Sequence, residues 1–303
     1  MKQDVLSILD IKDDLLSIID QAISLKKGEV GTDQPLRGKG LGMIFEKSST
    51  RTRVSFEVGM SQLGGQALYL SSRDLQMGRG ETVHDTAKVL SRYLDGIMYR
   101  AFSHQTMREL AEHASIPVIS GLDDLEHPCQ IVADLQTVKE CKNELKGLKM
   151  AYLGDGNNVC NSLLLGAAVA GMDFVAACPE GYYPDSGIRR KASGIASENG
   201  CTSKVVTDPQ EAAEGADVAY TDVWVSMGQE EERQERERAL SPYQVNSELL
   251  SHAKEDCIVL HCLPAHRGEE ITAEVLDGER SVVFDQAENR LHAQKAVLLK
   301  VLS

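Results

Sequence analysis

The stretch Leu41-Gly42-Met43-Ile44-Phe45-Glu46-Lys47-Ser48-Ser49-Thr50-Arg51-Thr52-Arg53-Val54-Ser55-Phe56 decides how this chain folds. Leu41 to Phe45 reads as a short buried strand, while Val54, Phe56, Val58, Met60 and Leu63 fall in a helix-compatible run that stops at Gly64-Gly65. A strand that passes within a few residues into a helix is the opening of a crossover unit, the building block of a parallel sheet. The turn between them, Ser48 to Arg53, carries only hydroxyl and guanidinium side chains. A helix start leaves backbone N–H groups unpaired and carries partial positive charge, so an oxyanion there meets N–H, O–H and guanidinium donors together. Phosphate suits such a cradle, with Arg51 able to add a bidentate contact. The alternative is a surface turn with capping Ser/Thr and two solvated arginines.

Working outward, the same alternation recurs. Upstream, Ile11, Leu15, Ile18, Ile19, Ala22 and Leu25 predict an amphipathic helix over 10–27, with Asp10 as cap and Gly28 as stop. Downstream come strand 67–70, a polar loop over 71–80, helix 81–93, strand 96–99 followed by Arg100, helix 103–113 and strand 117–120. The loop suits either a mobile site segment or an ordinary surface connection. Pro128 can occupy the first turn of a helix over 129–140, and the first domain is left near Lys146-Gly147. A second series then starts: strands at 150–153, 174–177, 204–206, 217–220 and 257–260, helices at 161–171, 188–198 and 209–214, and a last helix over 287–302. The expectation is an α/β fold of two doubly wound domains, each a parallel sheet flanked by helices, over 1–146 and 147–286, with the C-terminal helix 287–303 packing back on the first domain.

Composition bounds the partners. The chain has 303 residues, with 46 acidic against 32 basic side chains and a formal net charge of −14, which argues against nucleic-acid or anionic-membrane binding. No basic-then-apolar leader and no apolar run of spanning length is seen, so a cytoplasmic protein is expected. The seven cysteines contain no CxxC pair and read as reduced thiols, mostly buried.

In parallel sheets ligands collect beyond the carboxyl ends of strands. Ser49 to Arg53, Arg100 and the His127-Pro128-Cys129-Gln130 run all fall there, although a lone histidine before a proline is more often structural than catalytic. In the second half, Gly154-Asp155-Gly156 imitates a dinucleotide-binding turn, but Val159 stands where its third glycine should be. Thr221 to Gly228 reaches the same edge, and Glu230 to Arg238 reads as a solvated helix face. His261, Cys262 and His266 do not make a closed metal set, and Cys262 is either a packed or a site thiol. Arg290, on the last helix, is either a surface charge or a ligand group brought to the site.

Four separated segments, Ser49-Thr50-Arg51-Thr52-Arg53, His127-Pro128-Cys129-Gln130, Asp222 to Gly228 with Ser226-Met227-Gly228, and His261-Cys262-Leu263-Pro264, together resemble the aspartate/ornithine carbamoyltransferase family, and its ornithine branch in particular. The resemblance implies a first domain that binds carbamoyl phosphate through Ser49, Thr50, Arg51, Thr52, Arg100, His127 and Gln130. Cys262, Leu263 and Arg290 complete that set, and Gln76 is contributed by a neighbouring subunit, which implies a homotrimer with shared sites. Asn158, Asp222, Ser226 and Met227 match positions that hold L-ornithine. Arg100, His127, Cys262 and Asp222 are the implied catalytic group. The first two, with Thr52, are typed to stabilise a developing oxyanion, the last two to take up the proton of the attacking amine. No metal or cofactor is implied. Rival readings are transfer to putrescine or acetylated ornithine, a nicotinamide-dependent oxidoreductase, and a non-catalytic anion-binding protein. The compact chain leans towards a role in arginine biosynthesis.

Overall fold

The strand-to-helix step at 40–62 recurs down the chain and yields two parallel sheets. A computed structural model describes residues 2–28, 34–77, 79–226 and 228–303. Its strands are β1 Gly40–Phe45, β2 Gln66–Ser71, β3 Gly96–Arg100, β4 Val118–Leu122, β5 Lys149–Leu153, β6 Asp173–Ala177, β7 Ser203–Val206, β8 Val218–Thr221 and β9 Ile258–His261. The helices are α1 Leu15–Lys26, α2 Thr50–Gln62, α3 Val83–Tyr93, α4 His104–His113, α5 Pro128–Lys142, α6 Asn158–Ala170, α7 Ser186–Asn199, α8 Pro209–Ala213, α9 Arg233–Leu240, α10 Ser247–Leu250, α11 Ala273–Leu276 and α12 Val283–Leu302. The first sheet has order β2-β1-β3-β4 and the second β7-β6-β5-β8-β9, every pairing parallel. The expected fold class is therefore the observed one.

Two compact units result, one of residues 1–136 with 288–303, the other of residues 137–287. In the first, β1, β3 and β4 are almost wholly buried, and Ile44, Ile97, Tyr99 and Val118 pack with Met107 and Leu110 of α4. The C-terminal part of α12 docks there: a Cβ on Gly59 of α2 would lie 3.3 Å from Lys295, and Lys295 Nζ donates to Gln62 Oε1 at 2.9 Å. In the second, Ala151, Leu153, Ala177, Ala219 and Val259 of the sheet pack with Leu249, Leu250 and Val275.

Local chemistry moved several boundaries. The opening helix is interrupted: Ile8–Ile11 is a separate 3-10 turn, in which Asp10 accepts from the Leu6 and Ser7 N–H groups at 2.8 and 2.9 Å and so does not cap α1. α5 runs two residues past the expected 129–140 and stops at Lys142, where Asn143 adopts a left-handed φ of 69°. α6 starts three residues earlier than expected, since Asn157 caps it by accepting from Val159 and Cys160 N–H at 3.0 and 3.1 Å. Among the described residues no helix is long and apolar enough to cross a membrane.

Candidate active site

In the first unit the site begins at the cap of α2. Ser49 is the N-cap, its Oγ accepting the Thr52 N–H at 3.2 Å, so Thr50 and Arg51 occupy the first turn of the helix. The two arginines of the motif part company. Arg53 Nε donates to Glu57 at 3.0 Å, its guanidinium stacked 4.0 Å from the Tyr69 ring centre, which leaves it a surface ion pair. Arg51 is half-buried, and its charge reaches His127.

Arg100 enters at the end of β3, where the pairing with β4 slips between Tyr99 and Arg100 and sets Arg100 opposite Leu122. Such a slip re-aims the last side chain of a strand; here Arg100 is 7% exposed and its Nη1 donates to the Gly121 carbonyl at 3.3 Å. His127 is delivered by a loop built on buried Asp123. That carboxylate accepts from the Leu125 and Glu126 N–H groups at 2.9 and 2.8 Å, while its other oxygen lies 2.8 Å from His104 Nδ1. The bond to Asp123 raises the His104 pKa.

Gln130, one turn into α5, is locked in orientation. Its Nε2 donates to buried Asp134 at 2.8 Å, leaving Oε1 to accept from Arg290 Nη1, and Arg290 Nη2 donates to Thr52 Oγ1 at 3.3 Å. Arg290 is thus a buried group brought to the motif by α12 and not a surface charge. Burial first, then the positive charges of Arg290, Arg100 and Arg51, push the His127 pKa well below its usual value, so this imidazole is neutral at physiological pH. Neutral imidazole keeps one N–H to donate, the form that polarises a carbonyl without carrying a fixed charge. Burial pushes the Cys129 thiol up to about 12, which makes it an inert packing group.

Two residues beside this cluster were not singled out from sequence. Glu46 accepts from Tyr99 Oη at 2.8 Å and Phe102 N at 2.6 Å, bracing the ends of β1 and β3. Lys47 is half-buried with Nζ 4.7 Å from the Phe102 ring centre, and its pKa is lowered by burial and then by Arg100. Their adjacency to Ser48 was the available signal. Gln76 is exposed on the loop after β2, its carbonyl accepting from Arg79 N at 2.8 Å.

The second unit has its own constellation. β8 and β9 pair with Thr221 opposite His261, so the next residues, Asp222 and Cys262, leave their strands side by side. Cys262 Sγ lies 3.0 Å from Asp222 Oδ1, while Asp222 Oδ2 accepts from Asn157 Nδ2 at 2.8 Å. Cys262 is half-buried and sits at a polar edge, unlike the buried Cys160 and Cys178. Asn158 opens α6, and Ser226 N donates to Gln229 Oε1 at 3.1 Å; Met227 lies outside the described residues. Asp222, His261 and Cys262 offer donor atoms within 4.8 Å of one another. Both His261 nitrogens are engaged elsewhere, however, Nε2 with Glu270 at 3.0 Å and Nδ1 with the Leu263 N–H at 2.9 Å, so no ring lone pair remains for a metal.

The Gly154-Asp155-Gly156 turn is filled by the chain itself. A Cβ on Gly156 would meet the Pro184 nitrogen at 2.2 Å, and one on Gly154 would touch Trp224 at 3.7 Å. Asp155 pairs with Arg236 of α9 at 2.9 Å, and burial raises its pKa to about 6. The charged run 230–238 is accordingly not a wholly solvated face: Arg236 is only 8% exposed and also donates to the Trp224 carbonyl at 3.3 Å. A surface groove of about 490 Å³ along α7, lined by Leu164, Arg189, Arg190 and Ser203 among others, involves none of the candidate residues.

Comparison with known proteins matches each half of the chain. Residues 3–140 match the aspartate/ornithine carbamoyltransferase carbamoyl-P binding domain, and residues 146–301 the Asp/Orn binding domain of the same family. The ornithine carbamoyltransferase of Methanosphaera stadtmanae is 58% identical over 299 residues, covering 99% of each chain. A Thermoplasma volcanium protein named as a catabolic ornithine carbamoyltransferase is 56% identical, over 100% of this chain and 99% of its own. The solved ornithine carbamoyltransferase of Pyrococcus furiosus superposes with a TM-score of 0.96 at 51% identity, covering 99% of this chain and 97% of that one. With both domain models matched and full-length relatives this similar, the chain belongs to the aspartate/ornithine carbamoyltransferase family.

Proposed function

We propose that this enzyme transfers the carbamoyl group of carbamoyl phosphate to the δ-amine of L-ornithine, giving L-citrulline and phosphate. The observation that carries the reading is the neutral, buried His127 surrounded by the charges of Arg51, Arg100 and Arg290. Such a pocket suits a ligand with a dianionic phosphate and a carbonyl in need of polarisation. Ser49, Thr50, Arg51 and Thr52 hold the phosphate at the start of α2, Gln130 and Arg290 the carbamoyl end, and Arg100 and His127 the carbonyl oxygen. Cys262 and the Leu263 backbone complete these contacts, and Gln76 acts from a neighbouring subunit. Asn158, Asp222, Ser226 and Met227 hold ornithine. The domain roles follow, with carbamoyl phosphate on 1–146, ornithine on 147–286 and the helix over 287–303 serving the first domain.

The chemistry is charge management. The neutral δ-amine attacks the carbonyl carbon, the C–N bond forms, and charge on the carbonyl oxygen is met by Arg100, His127 and Thr52. The amine loses its proton towards Cys262 and Asp222, the C–O bond to phosphate breaks, and Arg51 with the helix start takes up the leaving dianion. Alignment of the two substrates supplies much of the rate.

A homotrimer is the proposed assembly. Its support is the edge strand β2, which with α2 exposes Leu68, Tyr69, Val54 and Val58, an apolar surface that a second copy can cover. A cytoplasmic location and a role in arginine biosynthesis complete the proposal, although some relatives carry catabolic names. The deciding experiment measures citrulline from carbamoyl phosphate and ornithine, with putrescine as the competing acceptor. Preference for putrescine, or near-parental activity in Arg51→Ala, refutes the reading.

A further inference from the structure

Glu270 is wholly buried and has no part in the chemistry set out above. Its Oε1 lies 3.0 Å from His261 Nε2 and accepts the His266 backbone N–H at 2.6 Å. The other ring nitrogen, His261 Nδ1, is 2.9 Å from the Leu263 backbone nitrogen. A backbone N–H can only donate, so Nδ1 must present its lone pair, and the proton of the neutral ring sits on Nε2 facing the carboxylate. Two partners therefore fix the tautomer.

We propose that Glu270 is a positioning residue for carbamoyl transfer: through His261 it holds the Cys262-Leu263 turn and so keeps the Cys262 thiol against Asp222. The inference rests on the function proposed above. Two further restraints converge on the turn. His261 N donates to Gln286 Oε1 at 2.9 Å, which fixes the end of β9. Leu263 has φ 58°, a region that side chains with a Cβ disfavour, and its N–H bond to His261 Nδ1 offsets that cost. Between these anchors Cys262 Sγ is left 3.0 Å from Asp222 Oδ1. Without Glu270, Nε2–H has lost its buried acceptor and the proton can move to Nδ1. An Nδ1–H would then face the Leu263 N–H, donor against donor, and the turn would relax. The same geometry removes His261 as a general base, leaving proton uptake to Cys262 and Asp222.

The test has two arms. Long-range proton–nitrogen NMR of the parent protein, with His261→Gln for assignment, reads the tautomer from about pH 5 to about pH 9. A single Nε2–H form is expected; an Nδ1–H form overturns the proposal. In the second arm Glu270→Ala and Glu270→Gln are assayed for citrulline and for the pH profile of Cys262 alkylation, with Cys141→Ser and Cys201→Ser removing the other accessible thiols. Glu270→Ala is expected to lower kcat about 10- to 100-fold and to shift the alkylation profile, whereas Glu270→Gln, which keeps an oxygen acceptor, stays within a few-fold of the parent. Parental kcat and alkylation in Glu270→Ala overturn the proposal, as does a Glu270→Gln enzyme as impaired as Glu270→Ala. Should Glu270→Ala fail to fold, the NMR arm and Glu270→Gln still decide. A parent that makes no citrulline refutes the functional reading alone, because tautomer and thiol reactivity need no turnover.

Discussion

Both sheets carry their candidate chemistry at the carboxyl ends of their strands, yet one edge is built from positive charge and the other from carboxylates and a thiol. In the first unit Arg51, Arg100 and Arg290 surround His127 and drive it neutral. In the second, Asp222 accepts from Cys262 and Asn157, and Asp155 is pushed up to about 6. The same α/β topology thus presents edges of opposite charge character. What differs is how each charge is tolerated. Arg100 donates to the Gly121 carbonyl and Arg290 to Gln130 and Thr52, all of them neutral acceptors. Asp155 instead has its charge offset internally by Arg236, which suits it to holding structure.

The contrast breaks most severely at Arg51. Arg51→Ala should lower kcat/KM for carbamoyl phosphate by on the order of 1,000-fold, about 4 kcal/mol of lost transition-state stabilisation, read from initial rates of citrulline formation. In the second unit, Cys262→Ala should lower kcat by about 100-fold while KM for carbamoyl phosphate moves little; a pure KM effect would contradict its place in proton uptake.

Stability separates the two edges next. Asp155→Asn leaves Arg236 without its buried counter-charge and should cost about 3 kcal/mol, seen as a lower Tm. The signal is also local, because the sole tryptophan, Trp224, accepts from Arg236 through its carbonyl, so its fluorescence should change with the variant. An unchanged Tm would mean that the pair is solvated.

A smaller effect distinguishes the edges by pH. His127 has a folded pKa well below the ordinary 6.5, so below that pH the unfolded chain binds a proton that the folded chain refuses. Stability then rises with pH across this range and is progressively lost as the solution is acidified below about 6.5. His127→Gln, which cannot titrate, should flatten that part of the urea-midpoint profile. The weakest effect is expected at Arg53, whose pair with Glu57 is 47% and 34% exposed. Arg53→Ala should shift stability by no more than about 0.5 kcal/mol and leave citrulline formation within a few-fold of the parent. A large loss of activity there would return Arg53 to the site.

Much of this was legible in the residues themselves. The strand, turn and helix at 41–63 appear in the structure as β1 and α2, with the cap at Ser49. Arg51 and Arg53 could not be told apart by spacing, because which of two helix-start arginines faces a ligand depends on its tertiary neighbours, here His127 for one and Tyr69 for the other. The run at 230–238 looked solvated because its charges alternate, and only the fold brings Asp155 to Arg236 across 81 positions.

The sequence by itself determined the α/β class, the two parallel series of elements and the residue types at each strand end. All of these follow from local periodicity, capping and the rule that ligands gather where parallel strands stop. Tertiary structure alone decided which groups share an environment. It brought Arg290 from the last helix onto Gln130 and Thr52, turned His127 neutral by burial among arginines, and set Cys262 on Asp222 by the register of β8 and β9. Contacts between residues 40 to 238 positions apart, and the charge states they impose, depend on burial and field rather than on neighbours in the chain.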